Sequence, residues 1–401
     1  MLLLGRKERE VASQNLGTSH FFGDALTALA IPRSLFLRNN YSASATTMAR
    51  PRGRNPAGGR GGRHTRGRGR DGRGRGRDGR GRGGNRDAGR LAARGMPPNA
   101  NLQVQPPPQP PPQPPPVAPT NSNYVLSEGL RLVGFNPNLN PSQQLKMQRF
   151  RSFFGIGQVA VARLFDVISA AGNACDLTSL LLALNWLKLY EPEPVLAARW
   201  NRSEKKIRGQ IRDYVNRIYQ LEHIKIIWGP FGDETFIVSV DGTHCPIQEP
   251  RKDPNSNWYS HKFNGPGLSY EIAIAIHKNQ VAWINGPFPA ATHDITIFRG
   301  KDTPANSLKA KIPNGKKAIG DSGYRGEPTK VSITNDDDEP HIKKFKARVK
   351  SRQESFNGRL KNFRVLSLPF RHGHNKHRSA FVACCICMQF EIENGNGLFE
   401  V

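Results

Sequence analysis

The sequence predicts an α/β protein whose C-terminal domain is a mixed sheet flanked by helices. Three observations support this prediction. The C-terminal part shows three β-rich segments, a helical connection, a fourth β-rich segment and further helices. Before it, apolar residues recur every three or four positions, a spacing typical of helices. The N-terminal part is rich in Arg, Gly and Pro and has almost nothing apolar to bury.

The β-rich and helical segments of residues 229–401 define the predicted domain. The predicted strands are Thr235–Val240, Leu268–His277, Val281–Asn285 and Lys316–Gly320. Helices are predicted around His293–Arg299, over Lys346–Phe363 and from His377 to about Glu393. In the second of these helices, Phe356, Leu360 and Phe363 form the predicted packing stripe.

The net charge of the chain indicates a polyanionic partner. The 401 residues include 59 Lys and Arg against 32 Asp and Glu, which gives a formal net charge of +27. Arg50–Arg94 holds 16 Arg and 3 Asp, a net charge of +13, and residues 95–401 carry +12. A binding partner of neutral or positive charge is therefore disfavoured, and nucleic acid is the natural choice.

Three segments precede the first predicted helix. Residues 1–49 are expected to be a disordered extension, or a gene-model artefact if translation starts at Met48. Residues 50–95 form an Arg/Gly-rich basic segment, which is expected to be disordered and to contact DNA or RNA without sequence preference. It is also expected to direct the chain to the nucleus; the alternative is a solvated basic tail. Residues 96–122 form a Pro-rich linker of polyproline II type.

Neither a membrane protein nor a zinc protein is expected. No apolar run approaches the roughly 18 residues that span a bilayer. The five Cys form no paired CxxC pattern, and three of them lie in the apolar segment Ala380–Phe390, which favours a buried helix. A zinc site with His372, His374 and His377 is the less favoured alternative.

Residues 123–228 are predicted to be a helical, helix-turn-helix-like region that helps to bind DNA. The predicted helices are Gln158–Ala171, Leu177–Leu189, Val195–Trp200 and Glu204–Leu221, the last capped by the segment Asn201-Arg202-Ser203. Lys205, Arg208 and Arg212 line the polar face of the last helix and are the candidate nucleic-acid contacts. The alternative is an ordinary helical subdomain with a solvated basic face.

Three acidic residues are the candidates for catalysis. Asp241 and Asp321 each follow a predicted strand directly, so they lie side by side if the two strands pair in one sheet. Glu354 lies in the helical run Arg348–Phe363, and a helix across the sheet would bring it to the same point. Hard cations such as Mg²⁺ prefer carboxylate and phosphate oxygens, and two such ions promote in-line displacement at phosphorus.

Four segments around these acids resemble the signature blocks of the PIF/Harbinger-type DDE transposases. They are VDGTH (Val240–His244), GPFPAATHDITIF (Gly286–Phe298), IGDSGYRG (Ile319–Gly326) and RQESFNGRLKNF (Arg352–Phe363). The resemblance implies an RNase H-like catalytic domain over residues 229–401. It also implies DNA strand cleavage and strand transfer by a triad of Asp241, Asp321 and Glu354 that binds two Mg²⁺ or Mn²⁺.

Further roles follow from the same blocks. Asp294 is expected to be an auxiliary metal ligand, with a helix-capping role as the alternative. Arg352 and Lys361 are expected to contact the scissile-strand phosphates, with solvated helix charges as the alternative. The resemblance also implies a Myb-like accessory DNA-binding protein. Because only 33 residues separate Asp321 from Glu354, a domesticated, catalytically silent DNA- or RNA-binding protein is the alternative function.

Overall fold

The computed structural model describes residues 118–136, 139–171, 174–301 and 303–401. The predictions for residues 1–49 and 50–95, and for nearly all of the linker 96–122, lie outside the described residues. The described helices are α1 (Ser122–Leu132), α2 (Gln143–Phe154), α3 (Gln158–Ala170), α4 (Leu177–Leu189), α5 (Glu193–Arg199), α6 (Glu204–Tyr219), α7 (Glu222–Lys225), α8 (Asp294–Arg299), α9 (Leu308–Lys311), α10 (Pro340–Lys361), α11 (Arg364–Ser367) and α12 (His377–Glu393). The described strands are β1 (Phe236–Pro246), β2 (Tyr259–Ser260), β3 (Gly265–Ala275), β4 (Val281–Pro289), β5 (Lys317–Ile319) and β6 (Val331–Ser332).

The six strands form one mixed sheet, as predicted. Strand β3 pairs antiparallel with β1 and with β4, and short β2 pairs with the beginning of β3. On its other side, β1 pairs parallel with β5, and β5 pairs parallel with β6. Helices α10 and α12 pack against strands of this sheet. The C-terminal region is therefore an α/β fold with a mixed sheet flanked by helices.

Strand β1 is longer than the sequence predicts, and this corrects the position of Asp241. The predicted strand ends at Val240, whereas the observed strand continues to Pro246. Residues 241–246 remain extended because each of them pairs with a residue of β3, from Asp241 with Ile272 to Pro246 with Gly267. Asp241 is thus inside a strand and does not follow it.

Each of the seven predicted helices is observed, and α1, α2, α7, α9 and α11 are additional. Ser203 caps α6 by accepting a hydrogen bond from the Lys206 N–H, as expected for the segment before that helix. The apolar face of α6 is buried, with Ile207, Ile211, Val215 and Ile218 all in the core. Helix α10 begins at Pro340, six residues before the predicted start, with the proline in its first turn.

Helix α12 is the central buried helix of the structure. Cys384, Cys385 and Cys387 are completely buried on it, and all five cysteines of the chain are free thiols. Burial raises the pKa of these three thiols well above the ordinary value. They act as small apolar core residues, as the sequence predicts.

One hydrophobic core joins the helical region to the C-terminal domain. It contains residues from α1 to α6, from β3 and β4 and from α10 to α12. A buried carboxylate strengthens this contact: Glu391 accepts hydrogen bonds from the Gly157 N–H (2.7 Å) and from Arg151 Nε (3.0 Å). Among the described helices, none alone is long and apolar enough to cross a membrane, although the bent pair α2 and α3 meets the length and composition criteria together.

Candidate active site at the free edge of strand β1

Strand β1 extends past the end of its neighbour β5, and the site lies at this free edge. The last pairs between the two strands join Val238 to Ala318 and Ser239 to Ile319. Beyond them, the outward carbonyl groups of β1 are bound by groups that are not in a strand. Lys262 Nζ donates to the Gly242 oxygen (2.9 Å), and Lys361 Nζ donates to the His244 oxygen. The Phe370 N–H then donates to the Pro246 oxygen (3.0 Å).

The pairing of β1 with β5 brings Asp241 and Asp321 together. Ser239 and Ile319 are partners in the parallel ladder, and each aspartate lies two residues further along its own chain. Asp321 is exposed, and its Oδ1 accepts a hydrogen bond from the Gly323 N–H (2.9 Å) at the start of a 3₁₀ turn. The predicted side-by-side placement of these two strand regions is thus observed.

Asp294, the expected auxiliary metal ligand, lies against the same point, and its role as a ligand stays a prediction. It is the first residue of α8 and not the N-cap, which is His293. A Cβ atom on Gly242 would lie only 2.2 Å from Asp294 Oδ1, so the carboxylate needs a glycine beneath it. A Cβ atom on Gly323 would lie 3.0 Å from Asp321 Oδ1 and 3.1 Å from Asp294 Oδ2.

The surroundings of Asp241 and Asp294 shift the ionisation of both carboxylates. The pKa of Asp241 is raised to about 6, mainly by burial; Lys262 lowers it, and Asp321 and Asp294 raise it. Burial also raises the pKa of Asp294, again with Asp321 raising it and Lys262 lowering it. Behind them Glu271, the β3 partner of Gly242, has a pKa raised to about 8 because it is fully buried. Four acidic side chains are thus concentrated here in a basic protein, and burial disfavours the charge of three of them, Asp241, Asp294 and Glu271.

Helix α10 presents three polar side chains to β1 at intervals of one turn. Gln353 Oε1 accepts from Ser239 Oγ (2.6 Å), and Asn357 Nδ2 donates to Asp241 Oδ2 (2.7 Å). Lys361 Nζ lies 3.6 Å from Cys245 Sγ. Residues four apart share a helix face, and Ser239, Asp241 and Cys245 share a face of the strand, so one helix face follows one sheet face.

Glu354 is adjacent to this face but is not on it. It follows Gln353 by one residue, a rotation of about 100° around the helix axis. Its side chain is exposed and forms no hydrogen bond or ion pair with any residue that the structure describes. The structure therefore brings Asp241, Asp294 and Asp321 together and places Glu354 on α10, one turn before the Asn357 that contacts Asp241.

Arg352 is a structural residue, which corrects the prediction that it contacts phosphate. Its side chain is 3% exposed. The guanidinium donates to the main-chain oxygens of Ala275 (2.7 Å), Lys278 (2.7 Å) and Phe399 (3.0 Å). Burial lowers its pKa to about 10. Each of the three guanidinium nitrogens donates to a main-chain oxygen. Arg352 therefore joins α10 to the β3–β4 turn and to the C-terminal segment.

The three candidate nucleic-acid contacts on α6 are exposed, and they precede Asp241 in the chain by about 30 residues. Lys205, Arg208 and Arg212 are all accessible on the polar face of the helix. Arg208 is partly neutralised because its Nε donates to Glu193 Oε2 (2.8 Å). A DNA-binding role for these three residues stays a prediction.

A groove extends from Asp241 along the free edge of β1. It has a volume of about 780 Å³, and Lys262, Phe263, Asn357 and Lys361 line its walls. Lys361 therefore borders the candidate active site, as expected for a phosphate contact, although that contact itself stays a prediction.

The family comparison identifies this region. The family model described as DDE superfamily endonuclease matches residues 240–389, somewhat more than a third of the chain. Residues 240–389 are thus similar to this endonuclease family, which supports a DDE transposase-like protein. The match begins one residue before Asp241 and includes Asp294, Asp321 and Glu354. It does not specify the Harbinger subtype. No curated protein and no solved structure gives a significant match to the chain.

Endonucleases of this family generally use divalent metal ions, and the donors at this site fit such an ion in their chemistry. The carboxylates of Asp241, Asp294 and Asp321 are hard oxygen ligands, and the charge of Asp321 disfavours that of Asp241 and Asp294, a conflict that a divalent cation relieves. As they stand, however, no group of three or more His, Cys, Asp or Glu side chains among the described residues is arranged to hold a metal ion.

Four site residues escaped the sequence-based prediction. Gln353 and Asn357 carry a usable signal, since with Lys361 they repeat every four residues on a predicted helix. Lys262 and Glu271 carry none, because a turn lysine and a strand glutamate acquire their roles from partners that are distant in sequence.

Proposed function

We propose that this chain is a divalent-metal-dependent DNA endonuclease of the transposase type, which cleaves phosphodiester bonds and transfers the cut strand. The observation that carries the proposal is the assembly of Asp241, Asp294 and Asp321 where β1 extends past β5. The match of residues 240–389 to an endonuclease family supports the same reaction class. The sheet, with three antiparallel and two parallel strand pairings, supports an RNase H-like domain.

Asp241 and Asp321 would hold the metal, with Asp294 as an additional ligand and Glu354 contributing from α10. Two Mg²⁺ or Mn²⁺ ions would supply activation of an attacking water or 3′-hydroxyl and stabilisation of the leaving oxygen. The chain's own residues prepare this site. Asn357 orients the Asp241 carboxylate, and Gly242 leaves the space that Asp294 occupies.

Cleavage assays on DNA with Mg²⁺ or Mn²⁺ test this function. Asp241→Asn and Asp321→Asn should each lower the cleavage rate at least a hundredfold, because each removes a metal-binding charge and keeps the side-chain shape. The cleavage rates of Asp294→Asn and Glu354→Gln then show which of these two acids acts with Asp241 and Asp321 as a metal ligand.

Asp337→Asn is the matched control, since Asp337 is an exposed acid in the turn before α10. Cleavage by Asp241→Asn or Asp321→Asn at the rate of the parent would refute the assignment. DNA binding without cleavage by the parent protein would refute the endonuclease itself.

The cellular location belongs to the same proposal. We infer a nuclear location, because DNA is the substrate and because residues 50–95 have the composition of a basic import signal. A fluorescent fusion with and without residues 50–95 tests it: cytoplasmic signal for both proteins would contradict a nuclear role.

A further inference from the structure

We propose that the groove beside β1 binds an unpaired stretch of DNA strand, with successive phosphates on Lys262 and Lys361 and a base stacked on Phe263. The proposal rests on the proposed function, because it specifies the form of the DNA that reaches the acidic site. Three features of the groove carry it: the spacing of its lysines, the unused donors of these lysines and its exposed aromatic ring.

The two lysines are bound to main-chain positions whose spacing is comparable to that of successive phosphates of a single strand. They bind the carbonyl groups of Gly242 and His244, which are two residues apart on β1 and point to the same side. Two residues of a strand span about 6.6 Å. This distance is comparable to that between successive phosphates of an extended polynucleotide, so one lysine can serve each phosphate.

Each ammonium group retains donors for such a contact. A lysine has three N–H donors. Lys262 is exposed and gives one donor to Gly242, and Lys361 is half-buried and gives donors to His244 and Cys245. Lys262 also lies beside the acids, since it lowers the pKa of both Asp241 and Asp294, and Lys361 lines the same groove as Asp241. A strand held here has its phosphates next to the candidate active site.

Phe263 favours an unpaired base over a duplex. It lies in the turn between β2 and β3, next to Lys262, and remains 37% exposed. A Cβ atom on Gly267 would lie 2.5 Å from its Cζ, so the ring packs closely on the backbone of β3. An aromatic ring that is supported by backbone and open to a groove is a stacking platform for bases, and paired bases in a duplex do not expose their faces to it.

Lysine acetylation of the full chain tests the proposal without any requirement for cleavage. The protein is treated with a lysine-selective acetylating reagent in EDTA, with single-stranded or duplex DNA of equal length, and each lysine is quantified by mass spectrometry. Single strands should protect Lys262 and Lys361 at least threefold, and duplex should protect them less. Lys344, exposed on the same helix as Lys361, is the internal control. The Arg/Gly-rich segment contains no lysine, so its binding does not obscure the result.

A substitution series tests the stacking residue. Phe263→Ala should raise the concentration of single-stranded DNA that half-protects the two lysines at least fivefold, whereas Phe263→Trp should preserve it. Phe399→Ala is the matched control, because Phe399 is 40% exposed and lies near Arg348, outside the groove. Absence of protection, equal protection by duplex, or an unchanged Phe263→Ala protein would overturn the proposal. Protection without cleavage in Mg²⁺ would refute only the endonuclease function.

Discussion

At the residue scale, close contacts fix the positions of the Asp241 and Asp294 carboxylates. A side chain at position 242 would overlap the Asp294 carboxylate, and glycine avoids this overlap. Asn357 Nδ2 donates to Asp241 Oδ2 and so fixes the orientation of this carboxylate. Asp241 itself is a costly residue, since it is largely removed from water and faces two other carboxylates.

Asp241→Asn should stabilise the metal-free protein at neutral pH while it abolishes cleavage. The pKa of Asp241 is raised from 3.8 to about 6 in the folded protein. The folded state therefore binds the proton more tightly than the unfolded state, and stability falls as the pH rises from about 4 to about 6. Asparagine avoids this loss, a gain on the order of 2 kcal/mol at pH 7.5.

Thermal unfolding between pH 4 and pH 8 measures this effect. The difference between Asp241→Asn and the parent should vanish near pH 4, where the carboxyl group of the parent is protonated. Asp337→Asn, which changes an exposed acid, should leave the curve unaltered. A destabilised Asp241→Asn protein at pH 7.5 would contradict the proposed charge repulsion.

Gly242→Ala should disable the site and leave the fold largely intact. The new methyl group would overlap Asp294 Oδ1, and a carboxylate displaced by about 1 Å costs on the order of a hundredfold in rate. Gly209→Ala on α6 is the matched control, because nothing lies within 4 Å of its Cβ position. It should raise the free energy of unfolding by about 0.5–1 kcal/mol. Equal cleavage by the Gly242→Ala protein and the parent would exclude a role for Asp294.

At the element scale, α10 performs two tasks with different faces. Gln353, Asn357 and Lys361 contact β1, while Arg352 binds the β3–β4 turn and the C-terminal segment. The helix is therefore fixed both along the sheet and at its edge. Glu354 lies on neither of these faces. Its distance from Asp241, Asp294 and Asp321 is therefore set by the contacts that the other residues of α10 make.

Arg352→Ala should lower stability more than it lowers DNA affinity. The substitution leaves the main-chain oxygens of Ala275, Lys278 and Phe399 without this donor in a buried place, at a cost of about 3 kcal/mol. Lys344→Ala on the exposed side of the same helix should cost almost nothing. Chemical denaturation measures the stability and fluorescence anisotropy measures DNA affinity. A stable Arg352→Ala protein with weakened DNA binding would restore the phosphate-contact interpretation.

At the scale of the whole molecule, the helical region and the C-terminal domain share one core. Helix α12 packs on α3 and α6 as well as on β4, and Glu391 binds the start of α3. The predicted boundary between residues 228 and 229 separates two sequence patterns, and the observed packing crosses it. A DNA-binding face on α6 would therefore be rigidly connected to the site on β1.

In the full-length protein, residues 118–401 should unfold in a single cooperative transition. Because α12 buries apolar surface against both regions, the loss of either exposes the core of the other. Calorimetric and van't Hoff enthalpies should agree, and a fragment of residues 229–401 should fail to fold. Glu391→Gln should lower the melting temperature of the full chain and preserve a single transition. Two separated transitions, or a folded fragment, would contradict the shared core.

Much of the architecture was determined by the sequence alone, because periodicity is a local property. β-rich segments located the four longest strands of the sheet apart from their ends, and three-to-four spacing located the helices, among them α12 from His377 to about Glu393. The positions of Asp241 and Asp321 near two strand ends predicted their proximity, which pairing of β1 with β5 provides. The three apolar-flanked cysteines were correctly predicted as core residues.

Only the tertiary structure decided which polar groups meet. The continuation of β1 past Val240, the placement of Asp294 over Gly242 and the burial of Arg352 all depend on partners distant in sequence. Lys262 reaches the edge of β1 for the same reason. A residue's own pattern specifies whether it lies in a helix or strand, but its charge, hydrogen bonds and pKa are set by the groups that folding brings against it.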